Sequence, residues 1–249
     1  MSDTPASVPS WTLLRLDEVE STNDIAGRQP PWHAVTARTQ TRGRGRYRRS
    51  WVSDLGGIWI SANLPTPGAP EAWGVLPLAA GWALRAALSS LGVAQLRLRW
   101  PNDLMVGRAK LAGILVERFT SAGAVVGIGI NYLNHPEEAS PELRGHTLRL
   151  ADLLTPLPSE EQVIGTLLAC LAEAQDRIAS GRVSEFLPSL NSAWQIDRVA
   201  VTLSGSSQPL LGSFLGVDQA GNLLVRSDDG RQHCLSPLAV ELLREVWPD

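Results

Sequence analysis

Cysteine and histidine are scarce in this sequence of 249 residues. It contains two cysteines, Cys170 and Cys234, and four histidines that lack the spacing of metal ligands. Two cysteines cannot build the disulfide framework of a small secreted domain, and they do not have the paired spacing of a zinc site. We therefore interpret both cysteines as free thiols.

Long apolar runs are also missing. The longest run, residues 75–91, is interrupted by Pro77, Gly81 and Arg85, so it is too short to cross a bilayer. The N-terminal segment carries acid, proline and serine where a secretory signal has a basic segment and then an apolar one. These absences predict a cytoplasmic protein without a membrane span.

Acidic residues are absent from one stretch of the chain. The net charge of −3 gives no general attraction to nucleic acid or to anionic membranes. No acid lies between Asp24 and Asp54, however, and the same interval contains a cluster of arginines: Arg28, Arg38, Arg42, Arg44, Arg46, Arg48 and Arg49. A positive patch on an acidic protein predicts one localised anionic ligand.

Lysine occurs only once, at Lys110, although the chain has 22 basic residues. An ammonium group is a compact charge on a flexible stem and can follow a phosphate oxygen through a reaction, whereas a guanidinium clamps oxygens in a fixed fork. An arginine-biased composition would also leave a few lysines by chance. For Lys110 taken alone, the two explanations are evenly balanced.

Short apolar runs and helical patterns alternate before residue 195. The apolar runs predict strands of one sheet at residues 11–16, 34–37, 58–64, 96–100, 111–116 and 124–130. Helices are predicted at residues 75–91, at 159–180 behind a capping box of Ser159 and Gln162, and at 183–193. Mixed strands with helices packed on one face predict an α+β fold around a mixed β-sheet.

The pattern changes after residue 194. Short β segments follow at residues 199–203, 210–217, 222–226 and 231–235, and glycine-containing turns separate them. This texture is typical of a small β-barrel or meander. We therefore predict two domains, residues 1–194 and residues 195–249.

The segment 40–51 alternates glycine and arginine between two predicted strands. Gly43 and Gly45 let backbone N–H groups approach an anion, while Arg44 and Arg46 offer paired donors to a phosphate. A basic RNA-binding loop or a solvated loop has a similar composition. Few aromatic residues interleave with the arginines, which weakens the nucleic-acid interpretation.

A second segment surrounds Lys110. The turn at residues 100–103 places the amide of Asn102 and the carboxylate of Asp103 at the end of a strand. The next apolar strand begins directly after Lys110 and fixes its position. Gly113 lets the backbone come close to a ligand. This arrangement suits contact with a phosphate and a polar small molecule, although turn chemistry alone also explains the amide and the carboxylate.

Two further segments carry polar groups at strand ends. Ser21, Thr22 and Asn23 follow the first predicted strand, and the segment 127–131 reads Gly-Ile-Gly-Ile-Asn. Small hydroxyl and amide side chains can hydrogen-bond a polar ring, and they are equally suited to capping a helix. The glycine-spaced strand allows close approach of a ligand or of neighbouring backbone.

These segments, in this order, resemble the catalytic core of biotin protein ligases. The matching elements are Ser-Thr-Asn at 21–23, glutamine before Gly-Arg-Gly-Arg at 40–46, Trp-Pro-Asn-Asp at 100–103, Lys-Leu-Ala-Gly-Ile-Leu at 110–115 and Gly-Ile-Asn at 129–131. The match runs over residues 19–132, and the C-terminal β segments resemble the small SH3-like domain of the family. The resemblance implies a mixed-sheet core of the class II aminoacyl-tRNA synthetase and biotin ligase type, followed by an SH3-like β-barrel.

Members of this family make biotinyl-5′-adenylate from biotin and MgATP. They then transfer biotin to one lysine of a biotin carboxyl carrier protein, typically that of acetyl-CoA carboxylase. The resemblance therefore implies an enzyme that takes biotin and ATP, with Mg²⁺ carried by the ATP and its protein ligands unknown. It leaves open whether two subunits pair through edge strands of the core sheet as a homodimer.

The resemblance also assigns roles by position. Residues implied to bind biotin are Ser21, Thr22, Asn23, Gln40, Gly43, Arg44 and Gly113. Residues implied to bind the nucleotide are Arg46, Trp51, Asn102, Lys110 and Asn131. Catalytic roles fall on Lys110, which stabilises charge on the α-phosphate, on Arg44, which contacts the biotin carboxylate and the α-phosphate, and on Asp103, beside the phosphate or the incoming lysine.

One position departs from the family pattern. The loop usually has a third glycine where this chain has Arg48. If that position requires a positive φ, an arginine there is expected to change the ordering of the loop and its affinity for ligand.

Three other functions compete with this interpretation. Some relatives are also repressors with an N-terminal DNA-binding domain, but few residues precede Ser21, so we expect no specific operator binding. Lipoate ligases share the architecture and the adenylation chemistry, but they lack the Gly-Arg-Gly-Arg loop and the Trp-Pro-Asn-Asp turn. A biotin-binding or RNA-binding module without turnover is the non-enzymatic alternative, and the presence of Lys110 and Asn131 argues against it.

Overall fold

A seven-stranded mixed sheet forms the core of the computed structural model, which describes residues 10–66, 74–119, 123–194 and 196–247. Its strands are β1 (Thr12–Val19), β2 (His33–Gln40), β3 (Ile58–Pro65), β4 (Leu96–Arg99), β5 (Asp103–Val106), β6 (Ala109–Glu117) and β7 (Gly123–Ile130). Their order is β1-β2-β3-β7-β6-β5-β4. Only β1 and β2 pair in parallel, and the other neighbours are antiparallel. The predicted mixed sheet is confirmed, with β5 as a strand that the sequence pattern did not predict.

Five α-helices lie within the described residues: α1 (Thr22–Ala26), α2 (Leu76–Ser90), α3 (Pro136–Ala139), α4 (Glu160–Ala179) and α5 (Leu187–Ser192). The predicted capping box at the start of α4 is present, since Ser159 Oγ accepts a hydrogen bond from Gln162 N and Gln162 Oε1 accepts one from Ser159 N. No helix of the described chain has the length and apolar character to cross a membrane.

The single helix predicted at residues 183–193 is wrong. The chain instead forms a 3₁₀ turn at Val183–Glu185 and then α5. Pro188 explains the break, because it has no N–H to donate to the preceding turn and is tolerated only in the first turn of a helix.

The two faces of the core sheet carry different partners. Ala34 of β2 and Val126 of β7 face the main hydrophobic core together with α2 and α4. Their sequence neighbours Val35 and Val125 point the other way and pack with Ala26 of α1 in a second, small cluster. Because side chains alternate along a strand, this second face, here called the α1 face, also carries the glycines of β7. The long helices lie on one face, as expected, and the short helix α1 packs on the other.

A second sheet follows in the chain. It is antiparallel and contains β8 (Arg198–Leu203), β9 (Leu210–Val217), β10 (Leu223–Ser227), β11 (Gln232–Leu235) and β12 (Val240–Glu245) in the order β11-β10-β9-β8-β12. This sheet fits the predicted small SH3-like domain, with β11 and β12 as its edges. Gln195, at the predicted domain boundary, lies outside the described residues.

The two sheets share one hydrophobic core. A buried ion pair joins them, between Arg97 in β4 and Glu245 in β12, whose side chains are 1% and 3% exposed. Arg97 also donates to the Gly107 carbonyl at 2.6 Å, and its guanidinium lies 5.5 Å from the ring centre of Trp247. The second sheet is therefore held firmly against the edge of the core sheet.

Candidate active site

A cavity of about 550 Å³ opens on the α1 face of the core sheet. Predicted site residues that line it are Ser21, Thr22, Asn23, Gln40, Arg44, Arg46, Trp51, Asn102, Asp103, Lys110, Gly113 and Asn131. Gly43 is buried behind this lining, because a Cβ there would collide with the Ser53 hydroxyl and the Trp51 carbonyl. Segments that are far apart in sequence thus converge on one cavity.

The floor of the cavity is bare backbone. Gly113 of β6 lies opposite Gly129 of β7. A Cβ at Gly113 would stand 2.8 Å from the ring of Trp51, and one at Gly129 would stand 2.5 Å from Trp51 Nε1. A Cβ at Gly127 would overlap the amide oxygen of Asn23. The glycine spacing therefore lets an indole and an amide lie directly on the sheet.

Replacing Gly129 with alanine tests this packing. The added methyl group has to displace the Trp51 indole, and overpacking of this kind costs about 1–3 kcal/mol of unfolding free energy. Gly165→Ala is the matched control, because its Cβ meets nothing within 4 Å. Since Gly165 lies within α4, the control is expected to be neutral or slightly stabilising. Urea unfolding of both variants measures the difference, and equal stability would contradict the packing of Trp51 on the glycines.

A network of buried polar side chains closes one end of the cavity. Gln40 Oε1 accepts hydrogen bonds from Thr22 N at 2.8 Å and Thr22 Oγ1 at 3.0 Å, while Gln40 Nε2 donates to Ser53 Oγ at 2.9 Å. The Ser61 hydroxyl lies 2.7 Å from Thr22 Oγ1 and 2.5 Å from Asn23 Oδ1. Such a network fixes each side chain in one orientation, which suits recognition of a polar ring.

Ser21 stands at the N-cap position of α1, as the sequence suggested. Its hydroxyl makes no capping hydrogen bond, and the residue is buried and lines the cavity. The residue therefore lines the cavity without capping the helix through its side chain.

Arg44 is already paired with two carboxylates. Its guanidinium donates four hydrogen bonds, to Asp24 at 2.6 and 3.0 Å and to Glu117 at 2.9 and 3.2 Å. The hydrogen bonds to Asp24, followed by Glu117, raise the pKa of Arg44 above its ordinary value despite burial. Glu117 also accepts from Asn23 Nδ2 at 2.6 Å. The arginine thus anchors the loop to α1 and β6, and two carboxylates inside the protein more than compensate its charge.

Around Lys110 the cations outnumber the carboxylates. Lys110 Nζ lies 2.6 Å from Asp103 Oδ1, and Arg99 Nη2 donates to Asp103 Oδ2 at 2.6 Å. Burial by itself raises the pKa of Asp103, but the two cations hold it below its ordinary value. Two cations share one carboxylate, so a net positive charge faces the cavity. An anionic group of a ligand is attracted to this end.

Two asparagines hold the backbone around Lys110. Asn131 Nδ2 donates to the Lys110 carbonyl at 3.3 Å, and Asn102 Nδ2 donates to the Ile114 carbonyl at 3.0 Å. The Lys110 amide also donates to the His146 carbonyl at 2.8 Å. These contacts fix where the stem of the lysine begins, while its ammonium group remains 4.7 Å from the Trp51 ring centre.

Sequence reasoning missed several residues that shape the site. Asp24 and Glu117 balance Arg44, and Arg99 is the second cation on Asp103; all three adjoin the predicted motifs, but nothing local marks them as partners. Residues 241–243 of β12 form part of the cavity wall. No sequence signal pointed to that strand, because its place depends on the docking of the second sheet.

The described residues contain no cluster of three or more His, Cys, Asp or Glu side chains that could hold a metal ion. The nearest carboxylate to the positive end of the cavity, Asp103, is already shared by two cations. The Mg²⁺ that the resemblance implies therefore stays a prediction.

Comparison with known proteins defines the class. Residues 19–131 match the model of the biotin/lipoate A/B protein ligase family. The chain is 33% identical over 200 residues to the biotin–[acetyl-CoA-carboxylase] ligase of Mycobacterium tuberculosis, covering 76% of this chain and 71% of that protein. It is 30% identical over 217 residues to the ligase of the same name from Paracoccus denitrificans, covering 80% and 85%. The chain belongs to the biotin/lipoate A/B protein ligase family.

A solved structure agrees with this assignment at the level of the fold. The biotin protein ligase of Aquifex aeolicus, solved in complex with biotin and ATP, superimposes with a TM-score of 0.81 at 24% identity, covering 94% of this chain and 99% of that one. The whole architecture, including the second sheet, is thus shared with a biotin protein ligase.

Proposed function

We propose that this protein attaches biotin to a specific lysine of a biotin carboxyl carrier protein by way of biotinyl-5′-adenylate. The observation that carries the proposal is the convergence of the five ligase-like segments on a single cavity with a polar end and a positive end. The polar end fits the polar ring of a ligand, and the positive end fits a carboxylate that becomes joined to a nucleotide phosphate. The relatives named above are ligases that carry this activity in their names.

The polar end suits the ureido head of biotin. Thr22 and Gln40 offer hydroxyl and amide groups whose orientations are set by the surrounding network, and Ser21 adds a hydroxyl in the cavity lining. The bare backbone at Gly113 and Gly129 gives the rings of biotin a flat surface once the Trp51 indole moves aside.

The positive end suits the reacting carboxylate and the α-phosphate. In the first step an oxygen of the biotin carboxylate attacks the α-phosphorus of ATP, and the bond from that phosphorus to the pyrophosphate oxygen breaks. Biotinyl-5′-adenylate and pyrophosphate result. Lys110 stabilises the charge that builds on the α-phosphate, because its ammonium lies at the positive end of the cavity and its backbone is held in place.

Asp103 orients this lysine in our proposal. A carboxylate whose pKa is held below its ordinary value is a poor proton acceptor, so Asp103 is unsuited to act as a general base. Its bond to Lys110 at 2.6 Å keeps the ammonium beside the reacting phosphate. In the second step the uncharged amine of the carrier lysine attacks the biotin carbonyl carbon. The bond to AMP breaks, and the products are the amide, AMP and a proton.

The remaining positions complete the proposed nucleotide site. Arg46 and Trp51 cover the adenylate, and Asn102 and Asn131 face the adenine and ribose. Arg44 contacts the biotin carboxylate only if that carboxylate shares the guanidinium with Asp24 and Glu117, so its first role is to brace the loop. The domain division at residues 194 and 195, a homodimer, the absence of operator binding and a cytoplasmic location stay predictions.

The test is transfer of labelled biotin to a purified carrier domain with MgATP, measured together with pyrophosphate release. We expect both products from the native chain. Labelling of the same carrier class with lipoate instead of biotin would indicate the lipoate ligase function. Biotin binding without pyrophosphate release across several carrier domains would overturn the enzyme proposal and leave a binding module.

A further inference from the structure

The tip of the arginine loop is tied to the second sheet. The hydroxyl of Tyr47 donates a hydrogen bond to the Val240 carbonyl at 2.6 Å. Arg46 Nη2 donates to the same carbonyl at 3.1 Å, to the Tyr47 hydroxyl at 3.2 Å, and to the Pro237 carbonyl. Val240 is fully buried at the start of β12, so the acceptor is a fixed point. The loop and β12 together form one rim of the cavity.

The loop tip needs such support. Tyr47 and Arg48 both adopt the left-handed region, with φ of 55° and 57°, which non-glycine residues keep only when their surroundings stabilise it. Arg48, which replaces the glycine usual in the family, is thus one of the two residues with a positive φ. Several arginines within one short loop also repel each other. A contact from the tip to a rigid strand opposes both effects.

Arg46 and Tyr47 differ in what they do when an anion arrives. Burial lowers the pKa of Arg46 below its ordinary value, and the side chain already lines the cavity, so a phosphate offers it a better partner than a neutral carbonyl. When Arg46 turns toward the ligand, its hydrogen bonds to β12 are lost. The Tyr47 hydroxyl carries no cationic group to pair with a phosphate, and its bond to Val240 does not depend on the position of Arg46.

We propose that Tyr47 is a positioning residue that ties the arginine loop to β12 while Arg46 binds the reaction intermediate. The role rests on the proposed function. Biotinyl-5′-adenylate is a mixed anhydride that water hydrolyses, so the loop has to stay closed between the two chemical steps. Tyr47 keeps it closed with a hydrogen bond that does not compete with ligand binding.

The chain offers a matched pair of variants. Tyr47→Phe removes one hydroxyl, with its bond to the Val240 carbonyl and the bond it accepts from Arg46, and leaves the ring in place. Tyr132 is the other of the two tyrosines, and its hydroxyl donates to the Pro158 carbonyl at 2.8 Å outside the cavity lining. Tyr132→Phe therefore removes the same kind of bond, from hydroxyl to backbone carbonyl, without touching the loop.

The experiment compares the native chain and both variants with biotin, MgATP and a carrier domain. The measured quantity is pyrophosphate released per biotin transferred, which rises when adenylate escapes or is hydrolysed before transfer. Loss of the hydrogen bond to Val240 changes an equilibrium by about fivefold, so we expect the excess of pyrophosphate over transferred biotin to rise roughly three- to fivefold in Tyr47→Phe and to stay at the native value in Tyr132→Phe. Trypsin cleavage after Arg48 and Arg49 in the ligand-free proteins is expected to accelerate in Tyr47→Phe alone.

The outcomes distinguish a failure of the proposed role of Tyr47 from a failure of the proposed ligase function. An active native chain with equal ratios in Tyr47→Phe overturns the role of Tyr47 and leaves the ligase function standing. Faster trypsin cleavage with an unchanged ratio also overturns it, because the bond then supports only the empty loop. A native chain that neither releases pyrophosphate nor labels the carrier overturns the proposed function itself.

Discussion

Replacing Lys110 with alanine is expected to lower the rate of biotinyl-5′-adenylate formation by about 10²–10³-fold, as removal of a single charge-stabilising group does in other active sites. In the proposed mechanism Lys110 is the cation that contacts the α-phosphate, and Arg99 remains bound to Asp103 when the lysine is removed. The fixed guanidinium cannot follow the α-phosphate. The measurement is pyrophosphate release from biotin and MgATP under saturating substrate.

The control for this variant is Arg108→Ala. Arg108 is exposed, and its guanidinium lies over the Trp247 ring at 4.7 Å rather than in the cavity. Its replacement removes a positive charge two positions from Lys110 without touching the site, so the rate is expected to stay within twofold or so of native. A Lys110→Ala protein that releases pyrophosphate at the native rate would show that the lysine has no part in the first step.

The second large effect is expected on stability. Glu245→Gln removes the counter-ion of Arg97 and leaves a buried guanidinium uncompensated, which costs about 3–5 kcal/mol of unfolding free energy. The two side chains are 1% and 3% exposed, so water cannot take over the role of the carboxylate. Urea unfolding at neutral pH measures the change in midpoint.

Asp228→Asn provides the comparison. Arg198 and Asp228 also form a paired contact, at 2.6 and 2.7 Å, but their side chains are 45% and 50% exposed. An exposed pair contributes about 0–1 kcal/mol, so this variant is expected to unfold near the native midpoint. Equal destabilisation by both substitutions would contradict the assignment of Arg97 and Glu245 as a buried tie between the sheets.

The ion pair of Arg97 and Glu245 also supports the active site. Glu245 ends the strand whose first residue, Val240, accepts the hydrogen bond from Tyr47. A displaced β12 would therefore disturb the cavity wall and the loop tip together. Glu245→Gln is expected to raise pyrophosphate release per transferred biotin at temperatures below its own unfolding, because the loop loses a fixed anchor.

Local patterns predicted most of the elements. The apolar runs marked the central strands, and the capping box at Ser159 marked the start of α4. These patterns failed for strands that are defined by their pairing with other strands. Only the first residue of β5, Asp103, was assigned, to a turn, and β12 was not predicted, because both strands are defined by their hydrogen bonds to β6 and to β8.

The site residues likewise divide into those that local patterns predicted and those that only folding brings together. The Ser-Thr-Asn, Gly-Arg-Gly-Arg, Trp-Pro-Asn-Asp and Lys-Leu-Ala-Gly motifs were visible as residue types at fixed spacings, and the cavity contains members of each. The partners of Arg44 were not visible. Asp24 and Glu117 are 20 and 73 residues away from it, and only the packing of α1 and β6 brings both carboxylates to one guanidinium.

The sequence by itself determined the composition of the site: the single lysine, the arginine loop and the glycine-spaced strand are properties of neighbouring residues. The tertiary structure alone decided how charge is distributed there. It balances Arg44 inside the protein and leaves net positive charge beside Lys110. The reason is that the energy of a charge depends on groups brought close by folding, whereas motifs depend only on order along the chain.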